Sequence, residues 1–421
     1  MSQNSNPSPN ADQRPADAAD QALHAPGSAD AEASAKTMNQ SRPKDLDEYI
    51  PVFHWPKDTS RFSFARATRA DSALLNDLYN RAFQQQRPLS HFEWKYWANP
   101  AGAPYGIIAK ELTTGAALAA AFGQRRRTWI RGREVPANLM CETSSDPSAR
   151  SGGVAFKGVM QAIGIGLNDE AGILWSYGGQ SSDEAITVGS RWLGFRVALT
   201  LEPWECRLSL APALRAKAGG IGASLAKLAD PLLRAPWRRP PGFTFEEPAD
   251  FGPEFDQLWE RHRDRHALCF FRDSATLRWR WRDCPVKGNR TVLARRDGQP
   301  VGWIIWREWQ PGADRIATVL DLWTDGEQET ILALLDATRR RAAAAGCVFL
   351  RFAVKPDTPE AAAVRVDGAW RPSPYERPDR IIVTPMPGSK FDETEADYEV
   401  LRVVVNGANW YYTQGDCDFL D

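Results

Sequence analysis

The stretch Asp146-Pro147-Ser148-Ala149-Arg150-Ser151-Gly152-Gly153-Val154-Ala155 decides how this chain is read. An apolar run from Ala137 to Cys141 enters it, and Phe156, Val159, Met160, Ile163 and Leu167 leave it at helical spacing. The pattern predicts a strand, a glycine-rich turn and a helix. Gly152 and Gly153 allow the backbone to curl so that successive N–H groups point at one spot. The helix N-terminus adds unpaired donors and the positive end of its dipole, which together make a cradle for phosphate or pyrophosphate. Arg150 stands beside it and offers its charge to the same anion.

The totals narrow the remaining classes. At 421 residues and 43% hydrophobic content, the chain has material for two ordinary cores. Its 52 Lys and Arg against 53 Asp and Glu give no global basic field for nucleic acid. No apolar run reaches membrane-spanning length, and the N-terminus shows neither a basic n-region nor an apolar h-region. The expectation is a cytoplasmic protein. Cys141, Cys206, Cys269, Cys284, Cys347 and Cys417 lack paired metal-knuckle spacing and read as reduced thiols. His262 and His266 are interleaved with Arg261, Arg263 and Arg265, which predicts a solvated basic helix face and no metal site.

Residues 1–58 are read as a disordered tail, poor in large apolar residues. Order is expected from a strand at 62–66 and a helix capped by Asp71 and running to 83. Strands follow at 105–111, 116–124, 126–130 and 137–145, then a helix at 154–168 and a strand at 172–177. A loop at 178–183 leads to a helix at 184–192 and a long strand to about 207. Residues 209–242 read as linker helices ended by prolines. Their basic face of Arg215, Lys217, Lys227 and Arg234 is expected to pack across a domain joint in preference to a membrane surface.

The second half then restarts the first. Trp94-Lys95-Tyr96-Trp97-Ala98-Asn99-Pro100 aligns with Trp279-Arg280-Trp281-Arg282-Asp283-Cys284-Pro285, and at the same offset of 185 residues Ala109 meets Ala294. Each copy reaches a glycine turn, at Gly115 and Gly298. This predicts two copies of one domain, at 59–208 and 243–387. In the second copy the strand leads into Asp325-Gly326-Glu327-Gln328-Glu329, whose carboxylates suit a helix start but repel a pyrophosphate. Residues 388–421 read as a docking tail, with a strand at 399–405 and the aromatics Trp410-Tyr411-Tyr412.

On these residues the chain resembles the GNAT family of N-acetyltransferases. The family's acyl-CoA signature is Arg or Gln, two residues, Gly, one residue, then Gly or Ala. Arg150, Gly153 and Ala155 fill it, with Pro147 three residues before the arginine. A second match, from Gln161 to Gly166, is rejected because it lies inside the helical pattern. Further on, Ala185 and Gly194-Phe195 match a family pattern of Asn, two residues, Ala and a short helix ending in Gly-Phe. The resemblance implies an α/β fold on a mixed sheet, as two tandem GNAT-like acyl-CoA N-acyltransferase domains, the second degenerate. It implies acetyl-CoA or another acyl-CoA as co-substrate, no metal, and a small-molecule amine, amino sugar or envelope precursor as acceptor. Two alternatives stand beside it: a non-catalytic CoA-binding scaffold and a Fem-like aminoacyltransferase.

The predicted binding residues are Arg150, Ser151, Gly152, Gly153, Val154 and Ala155 at the cradle, with Cys141, Thr143 and Ser145 on the strand edge. Glu142 is the acid on that strand and the candidate general base. GNAT enzymes often place a tyrosine as acid on the helix before Gly-Phe, where this chain has Gly189 and Ser190. Tyr177, on the neighbouring strand, is the substitute candidate.

Overall fold

A computed structural model of the chain describes residues 44–46, 49, 51, 59–149, 153–179, 183–234, 241–374, 376–386 and 394–418. The predicted cradle residues Arg150, Ser151 and Gly152 lie outside these, as does most of the predicted tail. Within that tail, however, Leu46 is buried beside Ile130 and Val135, and Asp45 pairs with Arg402 at 2.8 Å. Part of the segment read as disordered therefore docks on the body.

The first half runs β1 (Phe62–Arg66), α1 (Ser72–Phe83), β2 (Tyr105–Glu111), β3 (Ala117–Ile130), β4 (Arg133–Ser145), α2 (Val154–Ala171), β5 (Trp175–Gly178), α3 (Asp183–Leu193) and β6 (Arg196–Arg207). A helix, α4 (Ala211–Arg234), follows. The second half holds β7 (Phe243–Glu246), α5 (Pro253–His262), β8 (Leu268–Phe270), β9 (Asn289–Arg296), β10 (Gln299–Trp309), β11 (Ile316–Thr324), α6 (Gln328–Ala344), β12 (Phe349–Val354), α7 (Pro359–Val366), β13 (Trp370–Pro372) and β14 (Asp379–Pro385). α8 (Glu395–Val404) closes the regular structure. The strands predicted at 116–124 and 126–130 are one strand, β3, which pairs with β4 along its length.

All the strands belong to one 14-stranded sheet whose main path is β1-β2-β3-β4-β5-β14-β6-β12-β11-β10-β9-β7. The joint between the halves is a reciprocal exchange. β4 and β5 run parallel in the first half, as β11 and β12 do in the second. The strand that ends each half then pairs antiparallel with the other half: β14 with β5, and β6 with β12. β6 serves both sides, its residues 196–201 on β14 and 202–207 on β12.

The aromatic repeat marks the same symmetry. Glu93–Trp97 and Arg278–Arg282 each form a π-helical turn. Trp94 Nε1 donates to Trp279 O at 2.8 Å, and Trp279 Nε1 donates to Trp94 O at 2.9 Å. Their rings stack at 5.7 Å between centroids.

The strand read at 399–405 is not formed: residues 399–404 belong to α8 and Val405 caps it. Valines at 400, 403, 404 and 405 gave the run a β-like composition, but Tyr398, Leu401 and Val404 lie at helical spacing. Thr394 and Asp397 close a capping box at its start. The capped end and the buried apolar face outweigh the weak β preference of its valines. Trp410, Tyr411 and Tyr412 do dock, all three buried.

Trp94→Phe leaves the Trp279 carbonyl buried without its donor and is expected to cost about 1–3 kcal/mol. Trp94→Ala is expected to cost about 3–5 kcal/mol. Urea unfolding of both variants, and of Trp94→Phe combined with Trp279→Phe, measures the coupling. Additive losses would mean that the exchange does not act as a unit.

Candidate active site

β4 leads into the site. Between Phe122↔Cys141 and Ala120↔Ser144, its pairing with β3 has two residues opposite one. This is a β-bulge, and Glu142 on it has φ +53°, a left-handed conformation rare for a residue with a side chain. On its other edge β4 pairs with β5 at Asn138↔Ser176 and Leu139↔Tyr177, and no pair follows among the described residues. β5 itself ends one residue later, at Gly178, where a Cβ would lie 3.5 Å from Met140 O. Asp146 Oδ1 then accepts from Ser148 N at 2.9 Å, starting the turn towards α2, and Asp146 Oδ2 accepts from Arg81 Nε at 3.1 Å.

α2 begins where the sequence predicts. Gly153 precedes it at φ +63°, and the first helical bond runs from Lys157 N to Gly153 O at 2.9 Å. A Cβ placed on Gly153 would meet nothing within 4 Å. The rejected signature match, 161–166, is wholly inside α2.

The corresponding turn of the second half is closed. Gly326 N donates to Thr324 Oγ1 and Glu327 N to Asp325 Oδ1, both at 3.0 Å. A Cβ on Gly326 would fall 1.3 Å from the Arg265 guanidinium, which fills that space.

Glu142 sits in a buried charge cluster. Arg87 grips both its oxygens, one of them at 3.0 Å, and Lys95 Nζ lies 2.9 Å away. Burial pushes its carboxyl up, but Lys95 and Arg87 outweigh that and hold it at about 2. A carboxylate so stabilised has little affinity for an ammonium proton at neutral pH. Lys95 also reaches Asp418 at 3.4 Å, whose side chain keeps 23% exposure. Cys141 lies 3.4 Å from the Tyr96 hydroxyl, and burial pushes its thiol up. Thr143 and Ser145 are half-buried further along β4.

Tyr177 is fully buried. Its hydroxyl donates to Asp416 O at 2.7 Å and accepts from Arg126 Nε at 3.3 Å. Burial raises its pKa further, so its proton is committed to the segment at 413–418. Arg126 donates to Gly415 O at 3.2 Å, Arg280 bonds Gly415 O and Cys417 O, and Arg272 pairs with Asp416 at 2.7 Å. The segment thus crosses from the second half to the end of β5. This segment packs closely on Gly179, where a Cβ would lie 2.9 Å from Cys417 Cβ.

Gly189, standing where a catalytic tyrosine was sought, faces the Phe195 ring, which a Cβ there would meet at 2.1 Å. The ring takes the room, and the glycine is the accommodation. His266 is not on a helix face: α5 ends at His262, and His266 packs on Tyr411 at 4.5 Å, where burial lowers its pKa to about 3. Among the described residues no group of His, Cys, Asp and Glu is placed to hold a metal ion.

The sequence reading missed Arg87, Lys95 and Asp418. A signal was present for Lys95: it and Arg280 are repeat equivalents, each a cation inside an otherwise aromatic motif, and both reach the 413–418 segment.

The mixed sheet, the bulge on β4 and the helix that follows it form a GNAT fold, and comparison with solved structures agrees. A GCN5-related N-acetyltransferase from Anabaena variabilis superposes with a TM-score of 0.56 at 12% identity, over 77% of this chain and 72% of that one. A conserved Enterococcus faecalis protein described as a probable N-acyltransferase gives 0.54 at 12% identity, over 77% and 73%. Saccharomyces cerevisiae N-myristoyltransferase, solved with bound myristoyl-CoA and inhibitors, gives 0.51 at 11% identity, over 82% and 84%. No protein-family model matches the sequence, and no curated protein does.

Glu142→Gln leaves two buried cations facing an amide and is expected to cost about 3–5 kcal/mol at neutral pH. Because the native carboxyl is held below its ordinary value of 4.5, wild type loses the Glu142 contribution as pH falls from 4.5 towards 2. The stability gap between the two proteins should therefore narrow over that window in urea melts. A gap independent of pH would contradict the assigned cluster.

Proposed function

We propose that this chain is a tandem-GNAT, acyl-CoA-dependent N-acyltransferase whose first half binds the co-substrate. The observation that carries this reading is the pairing of β4 with β5, which stops at Leu139 while α2 opens at Gly153. A cleft with a free strand edge on one wall and helix N–H groups at its end suits a long, amide-bearing chain tipped by a diphosphate. The plugged turn at Gly326 supports a second half that binds no CoA and instead supplies a wall of the cleft. The exchanged strands and the Trp94–Trp279 contact support two copies of one domain.

In this reading, main-chain N–H groups at 150–155 hold the diphosphate and Arg150 adds charge. Cys141, Thr143 and Ser145 lie along the edge that meets the pantetheine amides, and a main-chain donor at the bulge polarises the thioester carbonyl. The acceptor amine forms a bond to the acyl carbon, the carbon–sulfur bond breaks, and the products are an amide and the free CoA thiol. Glu142 and Tyr177 act as positioning residues, the first fixing Lys95 and the bulge, the second fixing the 413–418 segment. Asp418, the partly exposed carboxylate of the cluster, takes the ammonium proton. The acceptor is a small-molecule amine, an amino sugar or an envelope precursor.

Thermal-shift titration with acetyl-, medium-chain and myristoyl-CoA tests the cradle. Gly153→Ala carries the strain of a side chain at φ +63°, and Gly153→Glu carries that strain plus a charge. The glutamate variant should lose CoA stabilisation while the alanine variant retains most of it. Equal behaviour would place the diphosphate elsewhere. Free-thiol release across an amine panel tests turnover: Asp418→Asn should lower kcat by about 100-fold or more with KM for acyl-CoA little changed. CoA binding with no amine acylated would favour the scaffold reading, and the absence of CoA binding would remove both.

A further inference from the structure

We infer that α4 is a docking helix that seats the protein on an anionic lipid surface. The helix is broken at Ala218 and Gly219, and its second part is inside out. Gly222, Ala226 and Asp230 are its buried positions, the small residues and an acid facing the body. Its large apolar residues face away: Ile221 is 75% exposed, Leu225 50%, Leu228 76% and Leu232 78%. At roughly 100° per residue these four fall within about 60° of one another, a continuous apolar stripe. A packed surface helix turns such a stripe inward, and a stripe left outward marks an interaction face.

The attachment to the body is polar. Asp230 Oδ1 accepts from Leu210 N at 2.8 Å, and Arg215 pairs with Asp314 at 2.9 Å. A cavity of about 470 Å³ undercuts the helix between Ala226, Asp230, Gln310 and Arg315. The helix therefore stands proud of the second half.

Charge selects the occupant. Within α4 the sequence places Arg215, Lys217, Lys227 and Arg234 against the single acid Asp230, which is buried, and of these cations Arg215 is held by Asp314. This excess sits in a chain that is otherwise balanced, at net charge −1. Two copies meeting through this face would bring the same cations together, so self-association is disfavoured. An anionic bilayer satisfies both features, taking the leucines into its interface and the cations at its headgroups. No helix among the described residues is long and apolar enough to cross the membrane, so the association is peripheral.

The test is co-sedimentation of the full chain with vesicles of phosphatidylglycerol and phosphatidylcholine, against phosphatidylcholine alone. The chain should sediment with the anionic vesicles and be released by added salt. Leu228→Asp combined with Leu232→Asp should lower the bound fraction by roughly tenfold or more, since binding scales with buried apolar area. Both positions are exposed, so far-UV circular dichroism and the melting temperature should be unchanged. Failure to sediment with anionic vesicles, or equal binding by the double variant, overturns the proposal. So does light scattering that shows a dimer which the double variant converts to monomer, since the stripe would then serve a second copy.

Discussion

The structure depends on how β5 is held. On one side it makes two parallel pairs with β4, and on the other it is gripped antiparallel by β14, a strand from the far end of the chain. β5 is short, ending at Gly178, so its position in the sheet is set from both edges by strands distant in the chain. The hydrophobic core beneath β14 and β5, with Ile382, Ile163 and Leu167 in one cluster, fixes that arrangement by burial.

Buried charge does the rest of the positioning. Four arginines and lysines, namely Lys95, Arg126, Arg272 and Arg280, reach the 413–418 segment from both halves. Removing such cations from water is costly, and each is stable only because a carboxylate or carbonyl meets it. Arg272 lies between Asp321 at 3.1 Å and Asp416 at 2.7 Å. Burial raises the Asp321 carboxyl to about 6, with Arg272 opposing the rise and Asp416 adding to it. A raised acid is more stable protonated in the folded state, so this group's contribution falls as pH climbs from about 4 through 6. Glu142 has the opposite sign, because two cations outweigh its burial.

The turns before α2 and α6 differ. A Cβ on Gly153 would meet nothing within 4 Å, whereas one on Gly326 would meet the Arg265 guanidinium, in a turn whose N–H groups are bonded to Thr324 and Asp325. The carboxylates at 325, 327 and 329 point to the same difference from the sequence side.

Much of this was legible because it is local. The strand–glycine–helix order around Gly153, the helix from Ser72 and the repeat at Trp94 and Trp279 follow from periodicity, capping and composition, which act over a few residues. The strand assigned at 399–405 failed for the same reason, since β-branched composition is local and the packing of Tyr398 and Leu401 against the body is not. Glu142 was found from the sequence, but its partners Arg87 and Lys95 lie 55 and 47 positions away in the chain, and no spacing rule joins them. Tyr177 was found as well, but its role as a buried tie to Asp416 required a segment 239 residues distant. The sequence by itself determined which elements form and that a glycine turn precedes α2, because those depend on turn residues and side-chain periodicity. Only the tertiary structure decided which charges are neutralised, which strand pairs with which, and which face of α4 is left to the solvent, because desolvation and strand pairing are properties of residues brought together from opposite ends of the chain.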